Sequence, residues 1–124
     1  MTSTVADAGL PSYKLAFYAG SQTHGATGAF VFSQDRVSPN ATIAGIMKDW
    51  FLSFVIDLDP NTRSFSGLTK PYWPQFTANV NENAGVVSQF NAMEVNLTSI
   101  GVVPDPDTSA QCDFFHGQSY VVRN

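Results

Sequence analysis

Residues 40–61 read Asn-Ala-Thr-Ile-Ala-Gly-Ile-Met-Lys-Asp-Trp-Phe-Leu-Ser-Phe-Val-Ile-Asp-Leu-Asp-Pro-Asn. Within them Ile43, Ile46, Met47, Trp50, Phe51, Phe54, Val55 and Leu58 recur at i, i+3, i+4 and i+7, the period of one face of an α-helix. The spacing predicts a helix from about 41 to 58, with Asn40 as its N-cap. Pro60 stops it, because a proline pushes the residue before it, Asp59, out of helical geometry. Burial of each large apolar side chain contributes ~1.5–3 kcal/mol, so this helix calls for a substantial partner surface.

The flanking segments supply strands and loops. Residues 1–11 are small and polar and read as a lead-in. Tyr13–Tyr18 is β-prone, and the run Leu15 to Tyr18 lacks alternation, which suits a strand covered on both faces. Ala19 to Gly28 carries three glycines with Ser21, Thr23 and His24, the composition of a loop. Ala29-Phe30-Val31-Phe32 is a short apolar segment, and Ser33 to Asn40 returns to loop. Downstream, Lys70-Pro71-Tyr72-Trp73-Pro74 is extended, since two prolines bracket two aromatics. Asn79 to Gly85 is an Asn-rich loop. Val86–Phe90 and Met93–Leu97 read as two short strands with Asn91-Ala92 as the turn. Asp107 caps a short helix over 108–116, with Gly117 beyond its end. Strands and helices together give an α/β or α+β class.

Composition narrows the partners. The chain has 124 residues, which allows one domain at most. Six Lys and Arg against ten Asp and Glu leave a net charge of −4. An acidic chain without a basic cluster argues against nucleic acid and anionic membrane. No apolar run approaches the ~18 residues of a transmembrane segment. Met1 to Gly9 has neither a basic nor an apolar stretch, so it does not read as a signal peptide. A single cysteine, Cys112, excludes an internal disulfide and a cysteine zinc cage. Charged residues make up only 13%, about half the ~25% usual in soluble domains. That matches either a Ser/Thr/Asn-rich surface or a piece of a larger protein whose apolar faces await the remainder.

Few residues carry chemistry. His24 sits in the glycine-rich loop between two apolar segments, where an imidazole can protrude from a rigid scaffold and exchange protons near neutral pH. Cys112 and His116 stand at i, i+4 on the expected second helix. That spacing fits a Cys–His pair or half a metal site, and equally a buried thiol packed beside Phe114 and Phe115. With His24 they make a third option, a metal site, if the three converge. Asp57 and Asp59 flank Leu58 and read as a solvated or helix-stopping pair. No Gly-x-Ser-x-Gly elbow and no phosphate-cradling glycine loop occurs, so no cofactor is implied. Asn40-Ala41-Thr42 and Asn96-Leu97-Thr98 are acceptor triplets for N-glycosylation, and Asn40 serves equally as a plain helix cap.

Three landmarks then fall in order: His24-Gly25-Ala-Thr-Gly-Ala-Phe30-Val31-Phe32, Phe51-Leu-Ser-Phe-Val-Ile-Asp-Leu-Asp59-Pro60-Asn61 and Pro71-Tyr72-Trp73-Pro74-Gln-Phe76. Preceded by Gly9-Leu10-Pro11-Ser12-Tyr13-Lys14, this order resembles the C-terminal part of the type-B carboxylesterase/lipase family, its secreted fungal members above all, from about residue 6 to 116. The resemblance implies that residues 1–124 are part of an α/β-hydrolase domain: one or two sheet strands, a long packing helix, a short β-hairpin and a terminal helix. It implies a secreted serine hydrolase of small-molecule or lipid esters, with His24 as the general base. The order nucleophile, acid, histidine places the first two upstream of Met1, so the chain alone is expected to be inactive and to self-associate through unpaired strand edges. The alternative is a stand-alone, non-catalytic binding protein derived from the same segment.

Overall fold

A computed structural model describes residues 5–6, 8–21, 23–32, 40–76, 79–81, 86–88 and 90–106. The elements run β1 (Leu15–Phe17), α1 (Gly28–Val31), α2 (Ala41–Asp57), β2 (Asn79–Asn81), β3 (Val86–Ser88), β4 (Asn91–Val95) and β5 (Ile100–Pro104). They build a three-stranded sheet in the order β1-β4-β5 and a separate two-stranded ribbon, β2-β3. The class is mixed α/β. No helix among the described residues is long and apolar enough to cross a membrane.

The long helix follows its periodicity. The Asn40 side chain accepts from the Ile43 N–H at 3.1 Å, satisfying one of the orphan donors of the first turn. At the far end Leu58 takes a left-handed conformation, φ 58°, with its N–H on the Phe54 carbonyl at 2.8 Å. The apolar stripe itself divides. Ile43, Ile46, Met47 and Trp50 are buried in the core with Ala19, Phe30, Trp73, Met93 and Val95. Phe51, Val55 and Leu58, with Leu52 and Ile56, are exposed. The helix is apolar on more than one side, and the sheet and the 59–76 segment cover one of them.

That segment is the second wall of the core. Two tryptophans meet edge to face with centroids 5.2 Å apart, Trp50 against Trp73. Both indoles are satisfied, Trp50 Nε1 on the Pro71 carbonyl at 3.3 Å and Trp73 Nε1 on the Lys14 carbonyl at 3.2 Å. The expected extended run 70–74 is therefore what carries Trp73 from α2 to the sheet.

The strands depart from expectation. Asn91 and Ala92 are not a turn. They lie inside β4, which runs parallel to β1 with Leu15 opposite Met93 and Phe17 opposite Val95. The hairpin partner of β4 is β5, antiparallel, with Val95 opposite Ile100. The turn is Asn96–Ser99, closed by the Asn96 N–H on the Ser99 carbonyl at 3.0 Å. β3 pairs instead with β2, inside the stretch expected to be loop. Ala29–Val31 belongs to the single helical turn α1. The expected helix over 108–116 lies outside the described residues.

Lys14 fastens the start of β1 to the end of β5. Its ammonium reaches both oxygens of the buried Asp105 carboxylate at 2.6 and 2.8 Å. Met93 N–H on the Lys14 carbonyl and Tyr18 N–H on the Val95 carbonyl turn alternate backbone groups of β1 toward β4. The polar groups of Leu15 and Phe17 thereby face the other edge, where no strand lies among the described residues.

Candidate functional site

The loop after β1 is pinned at both ends. Ala19 and Phe30 are buried in the core, and Phe30 meets Phe17 edge to face at 5.2 Å. Between them the chain reverses through two overlapping turns, with Ala26 N–H on the Thr23 carbonyl at 3.0 Å and Gly28 N–H on the Gly25 carbonyl at 2.9 Å. Gly20 and Gly25 adopt φ +114° and +81°, values that side chains other than glycine's resist.

His24 occupies the turn between these glycines and is exposed. Beside it the hydroxyls of Ser21 and Thr23 are hydrogen-bonded to each other at 2.8 Å. Among the described residues no hydrogen bond engages the imidazole, and no group of three or more potential metal ligands forms. The loop thus presents an accessible proton-exchanging group beyond the carboxyl end of a parallel strand. Among the described residues neither a nucleophile nor a carboxylate is hydrogen-bonded to it. The sequence reading takes Ser21 and Thr23 only as loop composition; the hydrogen bond between them is what the structure adds.

The other nominated residues lie elsewhere. Asp57 is chelated by Arg63, Nε at 2.6 Å and Nη2 at 2.9 Å, and accepts from the Thr62 hydroxyl at 2.5 Å. The Arg63 hydrogen bond, then that of Thr62, lowers its carboxyl to about 2. Asp59 turns away to accept from the Asn61 N–H and side-chain amide, both at 2.8 Å. The two carboxylates therefore work as the helix-stopping pair rather than an acid–base dyad. Cys112 and His116 lie outside the described residues.

A buried carboxylate absent from the sequence reading proves to be a structural hub. Asp49, on α2, accepts from the Ser64 hydroxyl at 2.7 Å, the Phe65 N–H at 2.9 Å and both the N–H and the hydroxyl of Ser66. Burial pushes its carboxyl up, but these hydrogen bonds together outweigh it and hold the group below the ordinary carboxylate range. Separately, Tyr13, Trp50, Phe51, Phe54, Pro60 and Trp73 line an aromatic cavity of about 120 Å³. Burial, then the charge of Asp59, raises the Tyr13 hydroxyl above its ordinary value.

No protein-family model matches the chain, and no curated protein matches it.

Proposed function

We propose that this chain is the C-terminal portion of an α/β-hydrolase and contributes the histidine to serine-type hydrolysis of small-molecule or lipid carboxylic esters outside the cell. One observation carries the reading: His24 stands exposed in a glycine-hinged loop that directly follows the carboxyl end of a parallel strand. Open α/β sheets bind their ligands outside the carboxyl ends of their strands. The ordered landmarks around residues 24–32, 51–61 and 71–76 support the same assignment.

In that role the neutral imidazole takes the proton of a serine hydroxyl as the oxygen attacks the ester carbonyl. It then returns the proton to the departing alcohol. Water repeats the sequence on the acyl-enzyme and releases the acid. The serine, its carboxylate partner and the oxyanion donors come from polypeptide other than the residues described. Loss of the nucleophile from such a triad lowers turnover about a million-fold, so the 124 residues alone are expected to hydrolyse nothing measurable.

The experiment is an assay of p-nitrophenyl butyrate hydrolysis by the purified chain and by the chain fused downstream of a polypeptide bearing a Gly-x-Ser-x-Gly elbow and its acid. The chain alone should match buffer, and the fusion should turn over only while His24 is intact. Serine-type turnover by the isolated chain, or a fusion indifferent to His24→Gln, refutes the reading.

A second reading, a stand-alone binding protein, has one observation in its favour. The described residues close a core of their own, in which no buried side-chain nitrogen or oxygen lacks a hydrogen-bond partner. A monomer with one sharp thermal transition would favour it.

A further inference from the structure

We propose that Asn40 and Asn96 both carry N-linked glycans and that the two sugars emerge into one groove. Their triplets are far apart in the chain, yet the fold unites them. Asn40, Thr42 and Ile43 at the start of α2 face Asn96, Thr98 and Ser99 of the β4–β5 turn across a single open groove.

In each triplet the asparagine oxygen is committed to local backbone. Asn40 Oδ1 caps α2 through Ile43 N–H at 3.1 Å. Asn96 Oδ1 accepts from Thr98 N–H at 2.8 Å, Ser99 N–H at 2.9 Å and the Thr98 hydroxyl at 3.0 Å. The carboxamide is planar, so an oxygen turned inward directs the nitrogen away from the same backbone. Among the described residues Asn96 Nδ2 meets only the Glu94 carboxylate, at 3.3 Å, longer than the usual range and readily exchanged for solvent or sugar. Thr42 and Thr98 are both exposed. Attachment through nitrogen leaves the oxygen in place, so neither the helix cap nor the turn is lost.

The donor is a lipid-linked oligosaccharide diphosphate. The amide nitrogen forms a bond to the anomeric carbon and the bond from that carbon to the diphosphate oxygen breaks. One amide proton passes to a base of the transferring enzyme and the lipid diphosphate leaves. No oxidation or reduction occurs. Two hydrated sugars also give a polar cover to a chain with only 13% charged residues. The inference rests on the extracellular address in the proposed function and not on its catalysis.

The test expresses the full chain behind a heterologous secretion leader in a glycosylating eukaryotic host, with intact mass measured before and after peptide N-glycanase. The leader supplies the route, so failure of the proposed address or of ester hydrolysis does not alter the glycan count. Wild type should carry two glycans, and Thr42→Ala and Thr98→Ala one each. T42A keeps the Asn40 cap, which separates loss of the acceptor from loss of the fold, and Thr42→Ser and Thr98→Ser should keep both glycans. An unshifted wild type, or one equal in mass class to either alanine variant, overturns the proposal.

Discussion

Asp49 holds Ser66 twice, through its backbone N–H at 3.0 Å and its hydroxyl at 2.7 Å, so one buried carboxylate on α2 fixes the loop that follows the helix. Asp49→Ala leaves the Phe65 and Ser66 N–H groups without their acceptor. Phe65 and Ser66 are themselves exposed, so water takes up part of the loss; the destabilisation should lie at the low end of the ~1–3 kcal/mol for an unsatisfied donor, and the urea midpoint should fall accordingly. The pH dependence has a definite sign. The folded-state carboxyl lies below its ordinary 3.8, so its contribution is complete above that pH and is lost as pH falls through the depressed value. The wild-type advantage over D49A should therefore shrink only below about pH 4; an advantage constant down to pH 2 would contradict the geometry.

Trp73 is the tie between helix and sheet, set edge to face against Trp50 and donating to the Lys14 carbonyl. Trp73→Ala should cost about 3–5 kcal/mol. Trp73→Phe, which keeps an aromatic and removes the donor, should cost about 1 kcal/mol and abolish the tryptophan-pair signal in near-ultraviolet circular dichroism.

Gly25 precedes the second turn of the histidine loop at φ +81°. An alanine there meets no neighbour within 4 Å, so its effect is backbone strain alone, roughly 1–2 kcal/mol. Gly25→Ala should loosen residues 21–28 in hydrogen exchange while the tryptophan core remains intact. Equal loss of protection in both places would show that the loop is not a separable unit.

Phe32, 88% exposed, and Val55, 75% exposed, share an apolar groove with Val31, Phe51 and Leu52. Contiguous exposed apolar surface promotes association. Phe32→Ser combined with Val55→Lys should lower the light scattering of concentrated chain with little change in melting temperature. Unchanged scattering would shift responsibility to the edge of β1 that carries no strand among the described residues.

The elements legible in the sequence were those whose signal is local. The α2 period, its Asn40 cap and the glycine-hinged setting of His24 are written within a few residues of themselves. The strands were harder. Gly101 and Pro104 argue against a strand at 100–104, yet an edge position tolerates both, and β5 lies at the edge. Asn91 and Ala92 carry turn chemistry, but their pairing with Pro104 and Val103 of β5 overrides it. The role of Asp49 was not legible, because its donors arrive from 15 to 17 residues away only once the loop has folded. For the site, the sequence nominated a histidine; the groups that would activate it are not among the described residues.

The parallel ladder has a consequence for biosynthesis. Every β1 residue pairs with a residue 78 positions later, so on a ribosome extending at ~5–20 residues per second its partner emerges roughly 4–16 s after it does. Throughout that interval Leu15–Phe17 has no β4 to add to. A nascent-chain chaperone that shelters short apolar segments would find its binding window here, and translational pausing between codons 60 and 90 should lower the yield of native protein more than pausing after codon 104.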